Sequence, residues 1–245
     1  SIAERVGVLT YGTNPSATYR IADLHAADGR SRFRVVLGDQ TLGELELPVP
    51  GLHNVRNATA AFALAHAIGA PDGASARALA RFAGVARRFQ FRGEVGGVTF
   101  VDDYAHLPSE IAAVLAAARG SGDGWNRVIA VFQPNRFNRM STMSPDYCDA
   151  FGDADVVVLT EIYASGTTPI PGVTGKLVVN AVLDAHPAST MVWMPRRDDL
   201  VDYLARTLRA GDVCISMGCG DISTLPEEVQ RRRSVLRQMT GLRSA

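Results

Sequence analysis

The chain of 245 residues is long enough for one large domain or two ordinary ones. Hydrophobic residues make up 47% and charged residues 20%, which supplies a packed core and excludes the composition of a disordered chain. Basic and acidic residues balance at 25 each, and that zero net charge argues against a polyanion-binding surface as the main activity.

The first fifty residues read as strands joined by turns. Short apolar or alternating runs occupy Arg5–Thr10, Thr18–His25, Arg32–Leu37 and Thr41–Val49, with AADGRS between the second and third as a hairpin connection. Pro50-Gly51 stops the sheet. The Ala-rich stretch His53–Ile68 predicts a helix closed by Gly69, and Asp72–Phe82 predicts a second, with Asp72 or Ser75 near its start. From Gly84 the rhythm changes. After Arg87 and Arg88 comes a short aromatic-rich strand. Further strands are expected at Val98–Val101, Arg127–Phe132, Asp155–Thr160, Thr190–Trp193 and Val213–Ser216. Helices are expected at Ser109–Ala118, Pro145–Phe151, Thr174–Ala185, Asp198–Leu208 and Ile222–Arg233. That alternation predicts βαβ units in a mostly parallel, Rossmann-like sheet. The boundary is expected after residue 92, with a second domain over 93–233 and a frayed tail over 234–245.

Three cysteines, Cys148, Cys214 and Cys219, are too irregular for a zinc motif and too few for a disulfide framework, so no metal site is expected. They fit a reducing compartment. No apolar run has the length of a membrane span and the N-terminus has no signal-peptide layout, so the expectation is a soluble cytoplasmic protein. Lys176 is the only lysine among the 25 basic residues, and its GVTGKL setting lacks phosphate-loop spacing.

Candidate chemistry gathers at element ends. His53, Asn54 and Asn57 stand at a helix start, where backbone N–H groups and amides suit a purine edge, although spacing alone favours a cap and a turn. Arg87 and Arg88 suit phosphate oxygens; in isolation such a pair reads more often as solvated surface, and the domain junction beside them favours the ligand reading. Asp102, Asp103, Tyr104 and His106 follow a strand where open α/β sheets bind ligands, and here the functional reading outweighs simple helix-start carboxylates. In FQPNRFNR, Arg136 and Arg139 are spaced to grip one carboxylate, with Gln133 and Asn135 beside them, or to be two solvated loop arginines. Gly218-Cys219-Gly220-Asp221 resembles part of a dinucleotide fingerprint, but Ser223 and Thr224 stand where its third glycine belongs, which disfavours an NAD-dependent oxidoreductase. The loop EIYASGTTPIPG reads as a lid or a connection.

In order, PGLHNVRN, GVARRFQFRGE, DDYAHLPSE, FQPNRFNR and PIPG resemble the motifs of the Mur ligases, over about Val49 to Asp221. The QP segment and the PIPG loop favour the alanine-adding branch of that family over the murein-peptide-recycling branch. The resemblance implies that residues 1–92 are the last part of a central ATPase domain and 93–233 a Rossmann-like C-terminal domain. The UDP-binding domain, the phosphate loop and the ligands of Mg2+ would then lie outside this chain, leaving it incomplete as a catalyst alone. It implies an ATP-dependent ligase of peptidoglycan precursor synthesis, taking ATP, UDP-N-acetylmuramate and L-alanine through an acyl phosphate, with no nucleic-acid or membrane partner. By the same resemblance Asn54 and Asn57, with His53 beside them, would contact adenine. Arg88, with Arg87, would reach the phosphates, Asp103 would hold the ribose, and Tyr104, His106, Arg136 and Arg139 would line the amino-acid side. Arg88 and His106 are the expected catalytic groups. Leu107, Asn135 and Phe137 depart from the family pattern, which leaves glycine or serine open as the amino acid. A non-catalytic nucleotide- or amino-acid-binding module is the alternative.

Overall fold

Alternation of apolar and polar residues gives the first strands one face to bury, as a side-chain period of two requires. The computed structural model describes residues 7–27, 29–49, 51–82, 84–121 and 124–241. Strands β1 (Tyr11–Gly12), β2 (Tyr19–Ala27), β3 (Arg30–Leu37) and β4 (Gln40–Leu47) form a sheet in that order. β1 runs parallel to β2 and the other pairs are antiparallel. Helices α1 (Leu52–Ala67) and α2 (Asp72–Ala80) follow. Tyr19, Phe33, Val35 and Leu45 of the sheet pack against Val55, Ala58 and Phe62 of α1. The strand expected over Arg5–Thr10 does not form across its described part, residues 7–10. Val8 and Leu9 are exposed there, and Thr10 and Thr18 instead exchange side-chain-to-backbone hydrogen bonds that lead into β1. Arg5 and Val6 lie outside the described residues.

The second sheet contains β5 (Gln90–Val95), β6 (Val98–Asp103), β7 (Arg127–Phe132), β8 (Val156–Leu159), β9 (Met191–Trp193) and β10 (Asp212–Met217). Their spatial order is β5-β6-β10-β7-β8-β9, all parallel except β5 against β6. The connecting helices are α3 (Pro108–Gly120), α4 (Phe137–Met143), α5 (Lys176–Ala185), α6 (Arg197–Thr207) and α7 (Leu225–Gly241). This is the expected α/β architecture. Every residue of β10 is buried, as a parallel strand covered on both faces should be. Val101, Ala130, Leu159 and Ile215 meet α3 and α5 on one face, while Phe100, Val131, Val158 and Cys214 meet α6 and α7 on the other. The chain leaving β6 therefore turns to one face and the chain leaving the adjacent β10 to the opposite face. Such a divergence is a topological switch point, where open sheets leave a crevice at the strand ends.

Three expectations shift. The helix expected at Pro145–Phe151 is instead α4 followed by a short 3-10 turn over Ser144–Tyr147, with Pro145 in its first turn, where a missing N–H costs nothing. The tail expected from residue 234 is helical to Gly241, because Leu236 packs against the Leu204–Val229 side of the core. The chain divides into two compact units, Ser1–Gly84 with Gly120–Asp123 and Val85–Arg119 with Gly124–Ala245, so the division falls earlier than residue 92. Gln90 and Phe91 already pair with β6 in the second sheet. No helix among the described residues is long and apolar enough to cross a membrane.

Candidate functional site

In the first unit, α1 starts from Gly51, whose φ of 100° favours glycine, and no side chain caps it. Asn54 is thus inside the first turn rather than at the cap. His53 and Asn54 are half-buried and Asn57 is exposed. Asn54 and Asn57, three apart, share a helix face at the N-terminal end of α1.

In the second unit, β6 carries both aspartates into the core before it ends, so they do not project into a loop. Asp102 is 0% exposed; its carboxylate accepts from Arg87 Nε at 3.0 Å and from Ser216 Oγ at 3.0 Å. Arg87 also donates from Nη2 to the Gly218 carbonyl at 2.5 Å, which ties the β6 and β10 ends together. Asp103 is 1% exposed and accepts the backbone N–H groups of Phe89 and Ala105, each at 2.7 Å. Burial pushes its carboxyl above the usual range, against the lowering pull of those two N–H groups and of Arg88. The pair of aspartates thus builds a turn from beneath, and Tyr104 and His106 stand on it.

The Tyr104 ring is flanked by both guanidinium groups, with Arg87 at 5.1 Å and Arg88 at 5.8 Å from its centroid. The His106 ring meets it edge-on at 5.4 Å. Glu110, in the first turn of α3, accepts the N–H groups of His106 at 3.0 Å and Leu107 at 3.2 Å, the carboxylate half of a capping box. Arg88 is exposed, and among the described residues its guanidinium has no hydrogen bond or ion pair. The structure therefore separates the arginine pair into a tethered member and an untethered one.

At the end of β7, Asn135 bridges in parallel to Tyr163, and Arg136 donates its N–H to the Tyr163 carbonyl at 2.9 Å. Arg136 occupies the cap of α4 with φ 65°, a positive φ that a non-glycine residue adopts only when its surroundings force it. Phe137 N–H is satisfied by Thr167 Oγ1 at 2.9 Å, a cap delivered from the β8–α5 loop. Arg139 Nη1 donates to Asn135 Oδ1 at 2.7 Å, while the Arg136 side chain is exposed. Arg139 lies in α4's first turn, and exposed Arg136 is the cap residue just before it.

The Gly218–Asp221 segment is a joint between strand ends. A Cβ on Gly218 would lie 2.9 Å from the Gln133 carbonyl, and one on Gly220 would lie 2.5 Å from the Tyr163 ring. Both positions therefore require glycine so that these neighbours can close in. Gln133 locks the joint, donating to Asp221 Oδ1 at 2.7 Å and accepting the Ile222 N–H at 3.3 Å. Glu161 organises the PIPG loop, its Oε1 accepting the N–H groups of Ile162 at 2.9 Å and Gly175 at 3.0 Å.

These ends converge on a residue that sequence reading passed over. Tyr147 is fully buried, stacks on Phe132 and donates its hydroxyl to the His106 carbonyl at 2.7 Å. Burial pushes that hydroxyl up to about 12, with Arg139, Glu110 and Cys219 all close enough to act on it electrostatically. His106 from the β6 edge and Arg139 from the β7 edge are thus brought to one place. Tyr147 fell inside the helix expected over Pro145–Phe151, and nothing local marked it out. Glu110, three residues beyond Leu107, did give one, because that is capping-box spacing.

Comparison with known proteins agrees with this arrangement. Residues 87–220 match the model "Mur ligase, glutamate ligase domain", and residues 2–65 match "Mur ligase middle domain". A UDP-N-acetylmuramate–L-alanine ligase from Bradyrhizobium sp. (strain BTAi1) is 42% identical over 233 residues, covering 91% of this chain and 49% of the relative. The protein of the same name from Methylorubrum extorquens is 43% identical over 222 residues, covering 88% and 47%. The crystal structure of UDP-N-acetylmuramate-alanine ligase from Thermotoga maritima superposes with a TM-score of 0.77 at 26% identity, over 96% of this chain and 50% of that one. The chain spans about half the length of the relatives it matches. Two consecutive family domains, matched in order across both compact units, place the chain in the Mur ligase family.

Proposed function

We propose that this chain is part of an ATP-dependent ligase that joins L-alanine to UDP-N-acetylmuramate in peptidoglycan precursor synthesis. The observation that carries the reading is the grouping of exposed Arg88 with Tyr104 and His106 at the end of β6, in a chain whose 42–43% identical relatives bear that activity in their names. In this reading the sugar's carboxylate attacks the γ-phosphorus of ATP and ADP leaves, giving an acyl phosphate. The amine of L-alanine then attacks the acyl carbon, and phosphate departs with its oxygen.

The tasks of this chain are positioning and charge. Arg88 neutralises negative charge on the phosphoryl group in flight, the kind of preorganised contact worth about 3 kcal/mol. Arg136 and Arg139 hold the amino-acid carboxylate while Tyr104 and His106 line its amine side. His53, Asn54 and Asn57 contribute amide and ring groups to adenine. Arg87, assigned to phosphate beside Arg88, serves chiefly as the brace under Tyr104. Asp103, assigned to ribose, already accepts two backbone N–H groups, so its first task is to shape the turn that presents Tyr104. Among the described residues no group of three or more His, Cys, Asp or Glu is placed to hold a metal ion. No step here runs through Mg2+, and in this reading its ligands belong to polypeptide outside these residues.

The test is phosphate release by the full-length protein supplied with ATP, UDP-N-acetylmuramate and one amino acid at a time. Release that depends on L-alanine, with glycine, serine and murein tripeptide weaker, supports the proposal. Preference for glycine or serine would move the specificity to Asn135 and Phe137. Tight ATP binding in calorimetry, with no turnover on any acceptor, would overturn the ligase and favour a binding module.

A further inference from the structure

We propose that Glu110 is a positioning residue that sets the tautomer of His106, with Tyr147 fixing the same residue's peptide from the other side; the inference rests on the reading above, in which His106 faces the reacting groups. His106 Nδ1 lies 3.1 Å from the Tyr104 carbonyl oxygen and 3.3 Å from Glu110 Oε2. Both neighbours are acceptors, since an ionised carboxylate and a carbonyl have no proton to give. Nδ1 must therefore carry the hydrogen, and Nε2 is left as the nitrogen that meets a ligand.

The same Oε2 accepts the His106 and Leu107 N–H groups and faces Nδ1, so one carboxylate oxygen fixes the peptide and sets the charge beside the ring, while the Tyr104 carbonyl takes the ring's hydrogen bond. Tyr147 completes the clamp at the His106 carbonyl, and with its hydroxyl raised to about 12 it remains a donor across the working pH range. The ring's remaining freedom is limited by the edge-on Tyr104 contact. A base held by a carboxylate on its far nitrogen is the arrangement that keeps an imidazole in one productive state. Glu110 itself belongs to the first turn of α3 and reaches the reacting groups only through His106.

The test uses the full-length enzyme with 15N-labelled histidine. At about pH 8.5, where ordinary imidazoles are neutral, His106 is expected to show a single Nδ1–H tautomer, assigned by the signal lost in His106→Gln. Glu110→Gln keeps an oxygen for the backbone N–H groups but removes the charge facing Nδ1. It is expected to mix the two tautomers and lower kcat about 10- to 100-fold, as mispositioning does, with the KM for ATP within about twofold of wild type. Tyr147→Phe, which removes one hydroxyl, is expected to lower kcat less and leave the tautomer intact. A pure Nδ1–H pattern with wild-type kcat in Glu110→Gln would overturn the inference, as would an Nε2–H tautomer in the wild type. Full turnover in His106→Gln would sink the functional role of His106 instead, while the nitrogen spectra would still decide what Glu110 does.

Discussion

Two arginine pairs flank strands of the second sheet, one just before β5 and one just after β7, and they divide the same labour in opposite order. In the first, Arg87 is tied to Asp102 and the Gly218 carbonyl and Arg88 is untethered; in the second, Arg139 is tied to Asn135 and Arg136 is exposed. Both pairs contain a left-handed residue, Arg87 at φ 60° and Arg136 at φ 65°. Such a conformation costs about 1–3 kcal/mol and persists only where the surroundings impose it. For Arg87 the compensation is evident, because its guanidinium satisfies a fully buried carboxylate. For Arg136 the compensation is in the backbone, whose N–H donates to the Tyr163 carbonyl and whose carbonyl accepts the Met140 N–H. Strain at Arg87 therefore aims a guanidinium at a buried carboxylate, whereas strain at Arg136 leaves its side chain exposed at the start of α4. Backbone strain marks both sites, and the free side chain separates their purposes.

The sharpest way to break this comparison is to remove the tethered member. Arg87→Ala leaves Asp102 buried without its cation, and breaking a buried pair costs about 3 kcal/mol or more. A drop of that size in urea unfolding is expected, and a loss under about 1 kcal/mol would mean that Ser216 alone satisfies Asp102. Arg88→Ala should behave in reverse. Stability should stay within about 0.5 kcal/mol, as for an exposed side chain, while kcat/KM falls about 100-fold, the scale of one lost charge-stabilising donor. Equal destabilisation by the two substitutions would erase the distinction. Arg136→Gly is next in size. Glycine accepts φ 65° freely, so the variant should gain roughly 1 kcal/mol of stability while raising the KM for the amino acid far more than that for ATP. Lost stability would show that Arg136 is held by contacts rather than strained.

Legibility followed the range of the physics. The parallel sheet and most of its helices were readable because apolar runs and periodicity are local signals, and β7 and the pair Arg87 and Arg88 stood out in sequence. What was not readable depended on partners far along the chain. The Phe137 N–H that opens α4 is satisfied by Thr167, thirty residues on, so nothing local marked the start of that helix. The tethering of Arg87 requires Gly218, 131 residues away, so nothing local distinguished it from Arg88. Asp102 and Asp103 looked like loop ligands because their polarity was visible and the buried groups they satisfy were not. The glycines at 218 and 220 resembled a cofactor fingerprint, yet they are required by Gln133 and Tyr163 pressing on that joint.

The smallest expected effect tests why Asp103 is buried at all. Two forces oppose each other there: burial raises its pKa, and the N–H groups of Phe89 and Ala105 lower it, with burial the stronger. If the folded value lies above the ordinary 3.8, the folded state binds the proton more tightly than the unfolded chain does. Its contribution to stability is then fully present below that ordinary value and is lost as pH rises through the raised one. Asp103→Asn removes this dependence, because an amide does not titrate. The stability gap between wild type and variant should therefore narrow as pH is raised from about 4 to about 7, measured by urea unfolding at each pH. A gap that widens instead would mean that the two backbone hydrogen bonds outweigh burial. Asp103 would then be a carboxylate held ionised beneath Tyr104, contributing a standing negative charge next to Arg88.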